Sequence, residues 1–161
     1  MKKIAFLLLL VMAAACSGDD DKGSTGVSGN NKYSYLGKEY ALSEAEYYIV
    51  GDDVYFFFTD FGNGNYESTV QLIFAWTMLA DIGGSYTAHP DRDIQTYDPQ
   101  TNFWTGGINY KGSDGADSVQ GGNIKIELSD NNTKVDITFT VTTDTGDKAT
   151  GHYSGPISER E

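Results

Sequence analysis

From Lys32 onward apolar and polar residues alternate with a period of two, most regularly in the last third of the chain. Ile124, Ile126 and Leu128 alternate with Lys125, Glu127 and Ser129. Further on, Val135, Ile137, Phe139 and Val141 alternate with Lys134, Asp136, Thr138, Thr140 and Thr142. Successive side chains of a strand point to opposite faces, so each run predicts a strand with one face in a core and the other in water. Between the runs, Asp130-Asn131-Asn132 supplies residues that tolerate left-handed backbone. Asp144-Thr145-Gly146-Asp147 makes the next turn and feeds a third strand from Lys148 to Gly155. The C-terminal third therefore reads as an antiparallel meander.

Upstream the pattern is denser. Val70, Leu72, Phe74, Trp76 and Met78 share one face, opposite Thr69, Gln71, Ala75 and Thr77, which predicts one long strand with Trp76 in its apolar phase. Val54 to Thr59 is apolar on both faces and predicts a central strand. Gly51-Asp52-Asp53 turns it back onto Glu46–Val50. Ser43 with Glu46 also fits a capping box that would begin a short helix. Tyr47, Tyr48, Ile49 and Val50 favour the strand. Gly84–His89 and Phe103–Lys111 complete roughly eight to ten strands, with turns at about 8–12-residue spacing. The expectation is an all-β fold, a single antiparallel meander domain, with an up-and-down barrel favoured over a sandwich because the strands follow one another in order. The closing pattern Gly151-His152-Tyr153-Ser154-Gly155 loosely resembles the lipocalin-like domains of small Bacteroidetes lipoproteins, over about the last quarter of the chain. That resemblance implies a barrel.

The N-terminus has a different texture. Lys2 and Lys3 precede an apolar run from Ile4 to Met12, then Ala13, Ala14, Ala15 and the single cysteine, Cys16. A membrane-spanning helix needs about 20 apolar residues, whereas the apolar part of a secretory signal runs about 7–15. Residues 1–15 therefore read as a signal peptide. The site resembles the lipobox of bacterial lipoproteins, with Ala13 where that family usually has leucine. The resemblance implies lipidation of Cys16, and two or more acyl chains make a stable membrane anchor. Ser17, Gly18, Asp19, Asp20 and Asp21 resemble the acidic export signal of Bacteroidetes surface lipoproteins, which implies an outer-membrane address facing the cell exterior. Residues 16–31 are almost wholly Ser, Gly, Thr, Asp and Asn and read as a tether. The β domain is expected over 32–161.

Charge and cysteine content narrow the partners. The formal net charge is -12, and removal of Lys2 and Lys3 with the signal makes it more negative still. An acidic chain without a basic stripe repels phosphate backbones, so nucleic acid is a poor partner. One cysteine allows neither an internal disulfide nor a thiolate metal cluster.

Candidate chemistry is sparse. His152 falls in the outward phase of the last strand, and His89 precedes Pro90 near Asp91 and Asp93, where a polar loop is a better reading than a metal site. No Gly-x-Ser-x-Gly elbow supports a serine nucleophile. With 23 acidic residues, some paired carboxylates arise by chance and do not by themselves indicate glycoside hydrolysis. Asp60-Phe61-Gly62-Asn63-Gly64-Asn65 and Asp130-Asn131-Asn132 lack the spaced ligands of an EF-hand and read as turns. No catalytic, metal or cofactor site is expected. Aromatics in the loop-rich stretch from His89 to Gly107, namely Tyr97, Phe103 and Trp104, are candidates for stacking on a sugar ring or apolar ligand. Asp117-Ser118-Val119 resembles the short O-glycosylation motif of Bacteroidetes exported proteins, which implies a modified Ser118. The functional expectation is a non-catalytic binding module for a glycan or small apolar ligand. The alternative is a structural or accessory subunit of an outer-membrane complex.

Overall fold

The computed structural model describes residues 31–161. The expected signal peptide, Cys16, the acidic run Ser17–Asp21 and most of the tether lie outside the described residues. Asn31, the last residue of the expected tether, belongs to the domain. It is buried, its side-chain amide donates to the Ser154 carbonyl at 3.1 Å, and its Oδ1 accepts the Ser154 amide at 2.9 Å.

Twelve strands follow: β1 Lys32–Tyr35, β2 Lys38–Ala41, β3 Glu44–Val50, β4 Asp53–Gly62, β5 Asn65–Phe74, β6 Gly84–Ala88, β7 Asn102–Phe103, β8 Thr105–Tyr110, β9 Asp117–Ser129, β10 Lys134–Thr143, β11 Lys148–Pro156 and β12 Ser158–Glu159. A single 3-10 turn, Leu79–Asp81, lies between β5 and β6. The strands form one sheet in the order β12-β3-β4-β5-β8-β9-β10-β11-β1-β2, with β6 and β7 off this path. Pairing is antiparallel except for β12 on β3 and β7 on β6. The all-β expectation and the β9–β10–β11 meander hold.

The barrel does not close. The hydrogen-bonded path ends at β2 on one side and at β12 on the other. Both terminal strands are short, and side-chain bonds occupy the seam instead of a ladder. The Ser43 hydroxyl donates to the Thr59 carbonyl and accepts the Phe61 amide, and the Asp60 carboxyl of β4 accepts the Ala41 amide of β2. The open sheet nevertheless rolls up on itself. Phe58 of β4 and Tyr153 of β11 have ring centroids 5.6 Å apart, and Tyr40 of β2 lies 6.4 Å from Tyr110 of β8. Strands distant in the path thus share one core, which removes their inner faces from water.

That core follows the alternation. Val54, Phe56 and Phe58 are fully buried, while Tyr55 and Phe57 of the same strand are only half-buried on the outer face. β4 lies between β3 and β5 as expected of a central strand, but its two faces are not equivalent. Val135, Ile137, Phe139 and Val141 are buried against Ile124 and Ile126. Ser43 and Glu46 begin no helix; the Ser43 hydroxyl is spent on the β4 backbone. Asp130, Asn131 and Asn132 all take positive φ (52°, 57° and 62°), as their composition predicted. Gly122 at φ 115° lets β9 press against β10, where a Cβ would strike the Thr140 carbonyl. There β9 changes neighbours on its other side, from β8 at 117–119 to β6 at 123–126.

The expected strand from Val70 to Met78 stops early. β5 ends at Phe74, and Trp76 adopts φ 55°, so neither Trp76 nor Met78 continues the apolar face. Met78 is 67 % exposed.

At the opposite end of the roll Asp60 is buried, and desolvation pushes its carboxyl above the ordinary aspartate range despite a hydrogen bond from the Ala41 amide. An acid whose folded pKa is raised lowers stability as pH climbs through that value, because the folded state holds the proton more tightly. Asp60→Asn is therefore expected to raise the neutral-pH unfolding midpoint. The gain should shrink to nothing as pH falls below about 4, the unfolded aspartate range. Urea unfolding of both proteins between pH 3 and 8 checks this.

Candidate functional site

Four loops converge at the end of the roll marked by the β3–β4 turn. They are that turn at Gly51 and Asp52, the segment 75–83 after β5, the loop 89–101, and the β9–β10 tip at Asn132. Between them lies an open cleft of about 760 Å³. Ile49, Trp76, Met78, Leu79 and Tyr86 give it apolar surface, and Asp52, Asp81, Gln100 and Asn132 give it polar groups.

The cleft exists because the chain leaves the ladder after Phe74 and is held away from it. Three successive amides are caught by three different groups. The Ala75 amide donates to the Tyr97 hydroxyl at 3.1 Å, the Trp76 amide to Asp53 Oδ1 at 3.2 Å, and the Thr77 amide to the Asp52 carbonyl at 2.9 Å. These bonds offset the cost of placing a bulky aromatic residue in left-handed backbone, which is about 1–3 kcal/mol.

Arg92 locks the arrangement. Its guanidinium forms two 3.0 Å hydrogen bonds to the two carboxylate oxygens of Asp53, a fork geometry suited to a carboxylate. The same group lies 4.8 Å from the centroid of Trp76 and 4.5 Å from that of Trp104. Cation–π contact of this kind adds roughly 0.5–2 kcal/mol per ring according to desolvation. The Trp104 indole N–H donates to the Pro90 carbonyl at 3.0 Å, which ties the loop carrying Arg92 to the link between β7 and β8. Tyr97 completes the support: its ring meets Trp76 edge-on at 5.4 Å, and its hydroxyl donates to the Asn102 carbonyl at 3.1 Å. Burial pushes that hydroxyl up in pKa, although the Ala75 amide and Arg92 pull the other way.

The three aromatics predicted from sequence fall near one another, but not as an exposed platform. Phe103 is fully buried, 6.3 Å from Phe74, and belongs to the core. Tyr97 is 5 % exposed and braces the loop. Trp104 is half-buried beneath Arg92 and does not line the cleft. The indole that does line it is Trp76, which sequence reasoning assigned to the core. Its role was hidden because Ala75-Trp76-Thr77-Met78 contains no glycine, proline or asparagine to announce a break. Arg92 and Asp53 lie 39 residues apart and share no local signal.

His89 Nδ1 donates to the Asp91 carbonyl at 2.7 Å, and its ring meets Tyr97 edge-on. His152 lies on β11 with Nε2 3.5 Å from Asp136. Ser118 is half-buried in β9, opposite Gly107. The neighbouring Asp117 carboxylate accepts the Tyr35 hydroxyl at 2.7 Å. Among the described residues no group of three or more His, Cys, Asp or Glu is placed to hold a metal ion. The chain matches no protein-family model, and neither the curated proteins nor the solved structures show a significant similarity to it.

Proposed function

We propose that this chain is a non-catalytic surface lipoprotein, anchored in the bacterial outer membrane through Cys16, whose β domain binds a glycan or small apolar ligand in the cleft beside Trp76. The lipobox-like residues and the acidic run at Asp19–Asp21 support the address. Trp76 carries the binding reading. A bulky residue at φ 55° is costly, and three amide bonds, a buried tyrosine and an arginine–aspartate pair hold it at the wall of a cleft. An aromatic face next to carboxylate and amide groups suits a ligand with a flat or apolar body and hydroxyls at its rim.

A thermal-shift screen of host and dietary glycans, peptidoglycan fragments and apolar small molecules tests this. A ligand at 100 times its dissociation constant adds about 2.7 kcal/mol, and each kcal/mol raises the midpoint by roughly 3–4 °C at this size. The expected result is a shift of that order that Trp76→Ala removes and Trp104→Phe keeps. A shift unaffected by Trp76→Ala would place binding elsewhere.

A second reading, the accessory subunit of an outer-membrane complex, is favoured by one feature. Tyr48, Ile49 and Val50, consecutive along β3, are 46 %, 43 % and 49 % exposed.

A further inference from the structure

Two carboxylates, Asp52 and Asp81, line the cleft together with Trp76, and among the described residues no lysine, arginine or histidine does. Main-chain bonds fix both acids to the segment that carries the indole. The Asp52 carbonyl accepts the Thr77 amide at 2.9 Å. Asp81 ends the 3-10 turn, and its amide donates to the Met78 carbonyl at 2.9 Å. Both residues are exposed, and among the described residues neither carboxylate makes a hydrogen bond or ion pair. Two bases come near in space or along the chain, and both are engaged. Arg92 lies over Trp76 but is held by both oxygens of Asp53, which cancels its charge. The Lys134 ammonium, two residues beyond Asn132, lies 2.6 Å from Asp130.

Aromatic wall and charge together select a ligand. Any molecule that fills the cleft takes water from two carboxylates, and that desolvation is offset only if the molecule brings positive charge. An acidic sugar or a phosphate ester would add a further negative charge, in the field of a chain whose formal net charge is -12. Neutral hydroxyls donate to the carboxylates but leave their charge standing. An ammonium group does both, with three N–H donors and a compact charge. The indole favours the same group, since tryptophan is the aromatic side chain best suited to a cation, and Trp76 already has a guanidinium 4.8 Å from its centroid. We infer that the ligand of this cleft carries a protonated amine, its charge met by Asp52 and Asp81 and its body set against Trp76. This rests on the binding reading and names the class of ligand, an amino sugar or an apolar amine.

The test uses the intact protein at about pH 6, where carboxylates are ionised and amines protonated, and two matched pairs of probes. One pair is the glucosamine trisaccharide and its fully N-acetylated form. The other is naphthylmethylamine and its N-acetyl derivative. Within each pair the body is closely similar and the charge differs, and dissociation constants are read from tryptophan emission. At least one amine is expected to bind about five- to tenfold more tightly than its acetylated partner, the gain from setting an ammonium near two solvent-facing carboxylates. The pair that shows this preference distinguishes a sugar from an apolar amine. The preference should shrink to about twofold or less when Asp52→Asn and Asp81→Asn are combined, and it should weaken as salt rises from about 0.05 to 0.5 M. Neither substitution removes a side-chain bond, so the double variant is expected to fold as the parent does. Equal binding within both pairs would overturn the amine while keeping the cleft as a binding site. A preference unchanged in the double variant would overturn the part given to the two acids, and with it the inference. No response to any of the four probes would overturn the inference and leave the cleft reading to the wider ligand panel.

Discussion

Phe74→Ala is expected to destabilise the domain by about 3–5 kcal/mol, the usual range for deleting a buried phenylalanine ring. Phe74 is fully buried and is the last residue of β5 before the chain departs towards Trp76. Its ring meets Tyr86 edge-on at 4.9 Å and Phe56 edge-on at 5.5 Å, and lies 6.3 Å from Phe103. These partners come from β6, β4 and β7, so one ring joins four strands. The cavity left by truncation would sit among residues that are themselves large and buried, which limits collapse. A loss of this size is a large share of the stability of an ordinary domain. Phe57→Ala removes the same atoms from the outer face, where the ring is half-buried under Arg160, and should cost about 1 kcal/mol. Urea unfolding of the two variants checks the contrast. Comparable losses would mean that the outer face is as tightly packed as the core.

Arg92→Ala should cost about 2–3 kcal/mol and disorganise the cleft. Breaking a buried ion pair by removing one partner costs about 3–5 kcal/mol, mostly because the other charge is left behind. The pair here is less enclosed, with side-chain exposures of 28 % for Arg92 and 12 % for Asp53, so the lower figure applies. Among the described residues the Asp53 carboxylate would keep the Trp76 amide as its hydrogen-bond partner. Both indoles would lose the cation lying over them, and the combined tryptophan emission should move toward that of solvated rings. Arg92→Lys retains charge but not the fork, and should recover less than half of the loss. Asp53→Asn in the Arg92→Ala background removes the stranded charge yet still offers an acceptor to the Trp76 amide. The double variant should therefore be more stable than the two single losses added together. Simple additivity in chemical denaturation would show that the two side chains act independently.

How much of this was legible beforehand depends on whether the information is local. The strands from Ile124 to Gly155 alternate without interruption, and the turn between the first two carries residues suited to left-handed backbone, so local chemistry and global fold agree there. Closure of the sheet is not local. It depends on whether β2 and β12 meet across the seam, and alternation is the same in a closed barrel and an open roll. The cleft was the least legible part. Trp76 lies in an apolar phase that the chain abandons two residues earlier, and what holds it is an aspartate and an arginine from distant loops. Of the aromatics read as ligand contacts, Phe103 and Tyr97 support the site from beneath, and Trp104 carries Arg92. Sequence placed the relevant loop; which indole borders the cleft depended on a backbone break that no residue type announced.

The central claim is that Trp76 meets the ligand, and fluorescence reads it directly. The chain has two tryptophans, so in Trp104→Phe the emission is that of Trp76 alone. Titration of this variant with the most stabilising glycan or apolar molecule of the panel should shift or quench the emission. The transition should be saturable, with the same dissociation constant that the thermal shift implies. Saturable binding that leaves the Trp76 emission unchanged would contradict the account, because the ligand would then be held at a site that does not include the cleft.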